Sequence, residues 1–171
     1  MRVVNDMDTS FNNFEALKQV DKKAERKNKN KEGYKEKRNL IAVSKLKIDD
    51  GNILTALEKA RDDIIKETGA IPRHFGIQNT VLVMLEAQLT KIESINDVKN
   101  VNFKKADDEF EKFIVISFPK DDSEIYERVV ELTEQQRNMY KLKTKAFGVS
   151  NMVMMLLVKE LVEQGYLVVS E

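Results

Sequence analysis

The sequence predicts a mainly α-helical fold with short β-strands, built from two tandem strand-helix-helix repeats that follow a basic N-terminal segment. A shift of 72 residues aligns residues 40–89 with residues 112–161 without a gap, and 10 of these 50 pairs are identical. Each half opens with a strand-length apolar run and continues with two helical patterns separated by a glycine-containing turn. The predicted parts are an N-terminal segment at 1–37, a first repeat at 38–92, a linker at 93–111 and a second repeat at 112–171.

Two runs have the length and β-branched composition of strands, LIAVSKL at 40–46 and FIVISFP at 113–119. We expect them to pair antiparallel within one chain, because a linker of 19 residues is long enough to join adjacent units. If Leu46 and Phe118 face the core, strand alternation places Lys45 and Ser117 on the outer face. The other outward positions are mostly apolar.

Aspartate pairs follow both strands, at 49–50 and 121–122, and are predicted to cap the helices that come next. Gly69 and Pro72 are predicted to end the first of these helices. The corresponding helix of the second half has no Gly or Pro between residues 120 and 147, which predicts a longer helix.

The turns HFGIQN (74–79) and AFGVSN (146–151) precede the last helix of each half. Gly76 and Gly148 are predicted to adopt the left-handed conformation of a C-terminal cap, and Asn79, Ser150 and Asn151 are predicted N-caps. The two helices that follow are apolar nearly all round, so each must be covered on more than one side. We therefore expect them to pack against each other.

The charges are distributed unevenly, although the formal net charge is zero. Residues 18–38 contain ten basic and four acidic side chains and almost no large apolar residue. Such a segment is attracted to polyanions. An alternative interpretation, to which we give equal weight, is that the segment is a solvated linker. Residues 1–20 precede it and have the apolar spacing of a short amphipathic helix, which would dock on the body of the protein or on a partner.

Several classes of protein are excluded by composition. The chain has no cysteine and only one histidine, His74, so neither a thiolate nor a histidine cluster is available for a metal or for nucleophilic catalysis. No run of 18 apolar residues and no secretory signal is present. The sequence therefore predicts a cytoplasmic protein that is not an enzyme, binds no cofactor or metal, and makes no membrane contact.

The order of strand, helix, glycine turn and apolar helix resembles the ribbon-helix-helix family, the Arc/CopG class of DNA-binding proteins. Phe118-Pro119 is similar to the end of that family's ribbon, and the FGVSN turn at 147–151 is similar to its inter-helix motif. The resemblance covers about 38–92 and 112–165 and implies a tandem form that makes a pseudo-dimer in one chain. It also implies a ribbon that enters the major groove of DNA and second helices whose N-termini contact phosphates.

The resemblance and the basic segment together predict a DNA-binding regulator or accessory protein of a plasmid or phage, such as a repressor, a partition protein or a transfer component. The predicted contacts to double-stranded DNA are Lys22, Lys23, Arg26, Lys27, Lys29, Lys31, Lys35, Lys37, Arg38, Lys45, Ser117, Asn79, Ser150 and Asn151.

The alternative is a protein-interaction module, such as an inhibitor or an assembly factor, on the same fold. The apolar outer strand faces and the net acidic character of both halves favour it. A partner protein would then bind through the N-terminal segment or through the strand faces, and the sequence leaves open whether the chain forms a homo-oligomer.

Overall fold

The computed structural model describes Gly33, Lys35 and residues 38–170. The chain divides into two compact units, Met1–Leu40 and Ile41–Glu171. The predicted amphipathic helix at 1–20 and most of the basic segment lie outside the described residues. Within the first unit, Gly33 and Lys35 have helical backbone.

The described residues form one two-stranded antiparallel sheet and four α-helices. In chain order these are β1 (Leu40–Ile48), α1 (Gly51–Thr68), α2 (Ile77–Leu89), β2 (Lys112–Pro119), α3 (Ser123–Tyr140) and α4 (Val149–Glu163), with single 3-10 turns at Pro72–His74 and Ile95–Asp97. The predicted fold class, a mainly α chain of two tandem strand-helix-helix repeats, is wrong, because the structure is an α+β fold with a single sheet. Neither half closes a core of its own, since the strands share the sheet and the helices share one hydrophobic core.

The two strands hydrogen-bond to each other, which confirms the predicted pairing within one chain. Every second residue of β1 is buried, from Leu40 to Ile48, while Lys45 and Lys47 point outward and are exposed. The same alternation in β2 buries the side chains of Ile116 and Phe118. One face of the sheet is therefore covered and the other is open.

The boundaries of α1 follow the sequence signals, whereas the end of α3 does not. Asp50 Oδ1 accepts a hydrogen bond from the backbone N–H of Asn52 at 2.8 Å, as expected of an N-cap. Gly69 ends α1 with a φ of 68°, which confirms its predicted role. The prediction that α3 is longer is wrong, because α3 has the same 18 residues as α1 and ends at Lys141, a non-glycine residue with a φ of 53°.

The starts of α2 and α4 differ from prediction by about one helical turn. Gly76 and Gly148 hold the N-cap positions with extended backbone, at φ values of −100° and −115°, and are not left-handed C-terminal caps. Asn79, Ser150 and Asn151 consequently lie inside the first turn and are not N-caps. Instead, Asn79 Oδ1 accepts the N–H of Gly76 at 3.1 Å, and Asn151 Oδ1 accepts the N–H of Gly148 at 2.9 Å. Each asparagine therefore stabilises the helix start from within.

Helices α2 and α4 pack against each other at the centre of the core, as predicted. Val81 and Leu85 of α2 are fully buried, as are Leu156, Leu157 and Leu161 of α4. Helix α1 contacts both of them, and α3 and β2 cover further sides. The apolar surface that surrounds α2 and α4 is thus buried by several elements at once.

The connection between α2 and β2 also contributes to the core. Ile92, Ile95 and Val98 are buried within the hydrophobic cluster. Further along, the backbone N–H of Ala106 donates to Asp50 Oδ2 at 3.1 Å, so one carboxylate caps α1 and holds the connection in place. The segment predicted as a linker therefore packs on the body.

A buried carboxylate lies where α4 faces the end of α2. Glu160 is fully buried, and Lys91 Nζ donates to Glu160 Oε2 at 2.7 Å and to Glu163 Oε2 at 3.1 Å. The hydrogen bond to Glu160 raises the pKa of Lys91 above its ordinary value, against the opposing effect of desolvation. With its nitrogen turned toward the carboxylates, the Gln88 amide lies 2.5 Å from Glu160 Oε2. Lys91 and Gln88 thus compensate a charge that would otherwise be isolated in the core.

Replacing Leu157 with Asp should unfold the protein, because the new carboxylate would lie without a partner in the shared core and would cost about 4 kcal/mol or more. The matched control is Val168→Asp, since the side chain of Val168 is 71% exposed. Circular-dichroism melting should lose its transition for Leu157→Asp and keep it for the control. A Leu157→Asp variant that melts like the parent protein would contradict the position of α4.

Replacing Lys91 with Met should lower the free energy of unfolding at neutral pH by about 2–3 kcal/mol, because Glu160 would keep its charge without its ammonium partner. The loss should shrink at alkaline pH, where the Lys91 ammonium of the parent protein gives up its proton. The raised pKa of Lys91 keeps the ammonium charged through the neutral range. In the parent protein, the contribution of this charge to the free energy of unfolding is therefore lost only as the pH rises into the alkaline range.

The control for this experiment is Lys66→Met. Lys66 forms an ion pair with Asp63 that is longer, at 3.7 Å, and exposed, so its removal should change the free energy of unfolding little. Urea titrations at neutral and alkaline pH measure both variants. An equal loss for Lys91→Met at the two pH values would show that the charge of Lys91 is not the cause.

Candidate nucleic-acid interface

The open face of the sheet carries the side chains that strand alternation predicts. Val43, Phe113 and Val115 are exposed by 39%, 46% and 42%. Lys45 is exposed on the same face, and Ser117 is half-buried there. The face therefore combines apolar side chains with lysine ammonium groups.

The lysines of this face make short contacts across the strands. Lys45 Nζ lies 4.0 Å from the centroid of the Phe113 ring, which is the geometry of a cation–π interaction. Lys47 Nζ lies 3.4 Å from Glu111 Oε2, and both side chains are more than half exposed. Exposed contacts of this kind contribute little to stability. Both ammonium groups therefore remain accessible to an anionic partner.

Helix α4 begins directly under β1. Ser150 Oγ lies 2.8 Å from Ser44 Oγ, on the covered face of the sheet. The Arg137 guanidinium donates to the backbone oxygen of Phe147 at 2.7 Å and fixes the approach to the helix. The Ser150 hydroxyl is thus engaged inside the protein, where it positions the first turn of α4.

The two predicted asparagine contacts lie at different places. Asn79 borders a small hollow together with Phe118 and Pro119 at the end of β2. Asn151 lines a larger groove formed with the connection at residues 95–100. Both side chains are exposed, and both use their oxygen to hold the backbone of the preceding glycine. The structure therefore does not combine them into one site.

Only part of the predicted basic surface lies within the described residues. Lys35 has helical backbone and is half-buried, and Arg38 is exposed in a turn immediately before β1. The other predicted contacts of this segment, which lie outside the described residues, are Lys22, Lys23, Arg26, Lys27, Lys29, Lys31 and Lys37.

Carboxylates are confined to part of the described chain. Five segments of nine or more residues contain no Asp or Glu, namely residues 38–48, 68–85, 98–106, 112–120 and 135–159. The four segments other than 98–106 comprise both strands, the approaches to α2 and α4, and most of those two helices. These four carry 11 Lys and Arg residues, and all 21 carboxylate side chains of residues 38–170 lie outside the five segments. The charged side chains of the strands and of the approaches to α2 and α4 are therefore all basic, and carboxylates such as Glu111 lie only beyond the strand ends.

Most lysines of these segments have no carboxylate partner. Among the described residues, no ion pair forms at the exposed Lys45, Lys112, Lys141, Lys143 and Lys145. Elsewhere in the described chain, ion pairs join basic side chains to carboxylates on α1, on α3 and between α4 and the end of α2. The cationic surface is therefore left available to an external anion.

The described residues offer neither a metal cluster nor a membrane-spanning helix. No group of three or more His, Asp or Glu side chains there could hold a metal ion. His74 lies at an exposed position, where its Nε2 accepts a hydrogen bond from Arg73 Nε at 3.2 Å. No helix in the described ranges has the length and apolar character needed to cross a membrane.

No protein-family model, curated protein or solved structure matches this chain. The resemblance to the ribbon-helix-helix family therefore gains no support from relatives.

Sequence reasoning missed two features of this region. Lys112 and the lysines at 141, 143 and 145 were not among the predicted contacts, although the runs without carboxylates that contain them, 112–120 and 135–159, can be read directly from the sequence. The contact between Ser44 and Ser150 joins residues 106 positions apart, and no local pattern indicates it.

Proposed function

We propose that this protein binds double-stranded DNA through the phosphate backbone and acts as an accessory or regulatory protein. The observation that supports the proposal best is the absence of carboxylates from the strands and from the approaches to α2 and α4. Residues 38–170 as a whole contain 19 basic and 21 acidic side chains, so net charge alone would not favour a polyanion. The separation of the charges within the chain favours it instead.

Phosphate groups are attracted by accessible ammonium groups and repelled by carboxylates over a Debye length of about 8–10 Å at moderate ionic strength. Lys45 and Lys112 lie on the sheet strands, and Lys143 lies on the approach to α4. Glu111 lies next to β2, where it is paired with Lys47. An approaching phosphate strand would displace counterions from both partners at this surface, which favours binding entropically at low salt.

The amino-acid sequence extends this cationic character toward the N-terminus. Residues 18–38 contain ten basic and four acidic side chains and lead directly into β1. Contacts from such a segment would add to affinity without adding sequence specificity, because phosphate contacts carry no direct information about the bases.

A second candidate function is the binding of a protein through the open face of the sheet. The exposed Val43, Phe113 and Val115 favour it, because apolar side chains gain more from contact with another apolar surface than from contact with phosphates. The lysines beside them would then select a partner with acidic groups around an apolar patch.

Replacing Lys141, Lys143 and Lys145 together with Gln tests the DNA proposal. Removing up to three phosphate contacts should weaken binding to a random-sequence duplex and lower the slope of log affinity against log salt by up to about 2.7, at about 0.9 per contact. Fluorescence anisotropy with a labelled duplex at several salt concentrations gives both values.

A matched control replaces Lys59, Arg61 and Lys66 with Gln, which changes the net charge by the same amount on α1, a helix that contains carboxylates. Its affinity and salt slope should stay close to those of the parent. An equal loss of duplex affinity in both variants would mean that binding depends only on the net charge of the protein. If the parent itself does not bind the duplex at low salt, the DNA proposal is wrong and protein binding at the sheet face becomes the leading function.

A further inference from the structure

A groove of about 870 Å³, lined by no residue of either strand, lies between the end of α3, one side of α4 and the connection at residues 95–100. Its apolar lining includes Met139, Tyr140, Leu142, Phe147, Met154 and Met155. Met139, Tyr140 and Leu142 are exposed by 46%, 61% and 37%. The protein therefore presents a concave apolar surface of considerable size on its exterior.

Ile95 and Val98 of the core line part of the groove, and the rest of its apolar wall comes from residues that the core leaves partly exposed. Met152 of α4 is fully buried, whereas Met154 and Met155 of the same helix are only partly buried and line the groove. Gln136 is the last buried residue of α3. Met139 follows it on the same helix, extends its apolar stripe and lines the same groove. Methionine side chains adapt to irregular apolar partners, and they are common at surfaces that accept helices.

The charges around the groove select the kind of partner. No carboxylate lines it, and Lys99 contributes to its wall. The lysines at 141, 143 and 145 lie on the connection that carries the lining residues Leu142 and Phe147. Asp97 is adjacent in sequence to lining residues, but its carboxylate accepts the N–H groups of Glu93 and Ser94, and these hydrogen bonds lower its pKa. The groove is thus apolar within and cationic at its margin.

We propose that this groove binds an amphipathic helix of a partner protein whose apolar stripe is flanked by acidic side chains. An open groove with methionine walls fits the apolar side of a helix, with anchors at i, i+3 or i+4 and i+7. A small molecule would instead bury most of its surface in an enclosed pocket. Glutamate or aspartate beside the stripe would complement the ammonium groups at the margin. This proposal needs no nucleic acid, although Lys141, Lys143 and Lys145 contribute to both proposed surfaces.

The test uses the full chain as the target of a phage-display selection from a library of random 18-residue peptides. Peptides that bind should be enriched in apolar residues at helical spacing and should carry net negative charge. Their affinities are then measured by fluorescence anisotropy with the parent protein and with three single variants, Met139→Glu, Lys99→Glu and Ile71→Glu.

The two groove variants should weaken binding at least tenfold, the first by placing a charge on the apolar wall and the second by reversing the charge at the margin. Ile71→Glu is the matched control, because Ile71 is an exposed apolar residue outside the groove, and its affinity should equal that of the parent. Circular-dichroism melts of all variants should match the parent, and Met139→Ser replaces Met139→Glu if the latter does not fold.

Three outcomes would overturn the proposal. The selection could yield no peptide that binds, the enriched peptides could lack negative charge or helical spacing, or their affinity could be unchanged in the groove variants. The DNA measurements are separate, so failure at the groove and failure of the DNA proposal are distinguishable.

Discussion

The packing of α2 against α4 is the constraint on which the rest of the structure depends. Both helices are apolar on more sides than one neighbour can cover, so each needs the other and also needs the sheet and the outer helices. Fully buried residues such as Leu85 and Leu157 lie in a single hydrophobic cluster that takes side chains from every helix and strand. Neither half of the chain could bury its own last helix, and this is why one core and one sheet form in place of two repeats.

The same constraint determines what remains at the surface. Covering α2 and α4 uses one face of the sheet and leaves the other face open, with Lys45 against Phe113. It also brings the start of α4 under β1 through Ser44 and Ser150. Segments without carboxylates are thereby joined at the sheet, although they are far apart in the chain. The distribution of charge, rather than its sum, is what makes a polyanion a plausible partner for a chain of zero formal net charge.

Much of the local structure could be predicted because its causes are local. Strand alternation placed Lys45 and Ser117 outward, Asp50 and Gly69 marked the ends of α1, and the apolar character of α2 and α4 indicated their mutual packing. Each of these inferences depends on residues that are close in sequence or on the need to bury an apolar surface.

The errors arose where distant or weaker contacts decide the outcome. The glycines at 76 and 148 resemble C-terminal caps by sequence, but the asparagine three residues later holds each of them as an N-cap. Helix α3 ends at Lys141 without glycine or proline. The fold class was wrong because self-similarity between the two halves does not reveal whether each half closes a separate core. The groove was not predicted either, since Met139 and Met154 have the spacing of core residues.

Lysine footprinting in the presence of duplex DNA tests the central claim most directly. The protein is acetylated with and without a random-sequence duplex at low salt, and the modified lysines are quantified by mass spectrometry. We expect protection of Lys45, Lys112 and Lys143 and unchanged labelling of Lys59 and Lys66 on α1. Protection that is equal at all exposed lysines, or strongest on α1, would contradict the claim that the basic side chains of the strands and of the approach to α4 form the binding face.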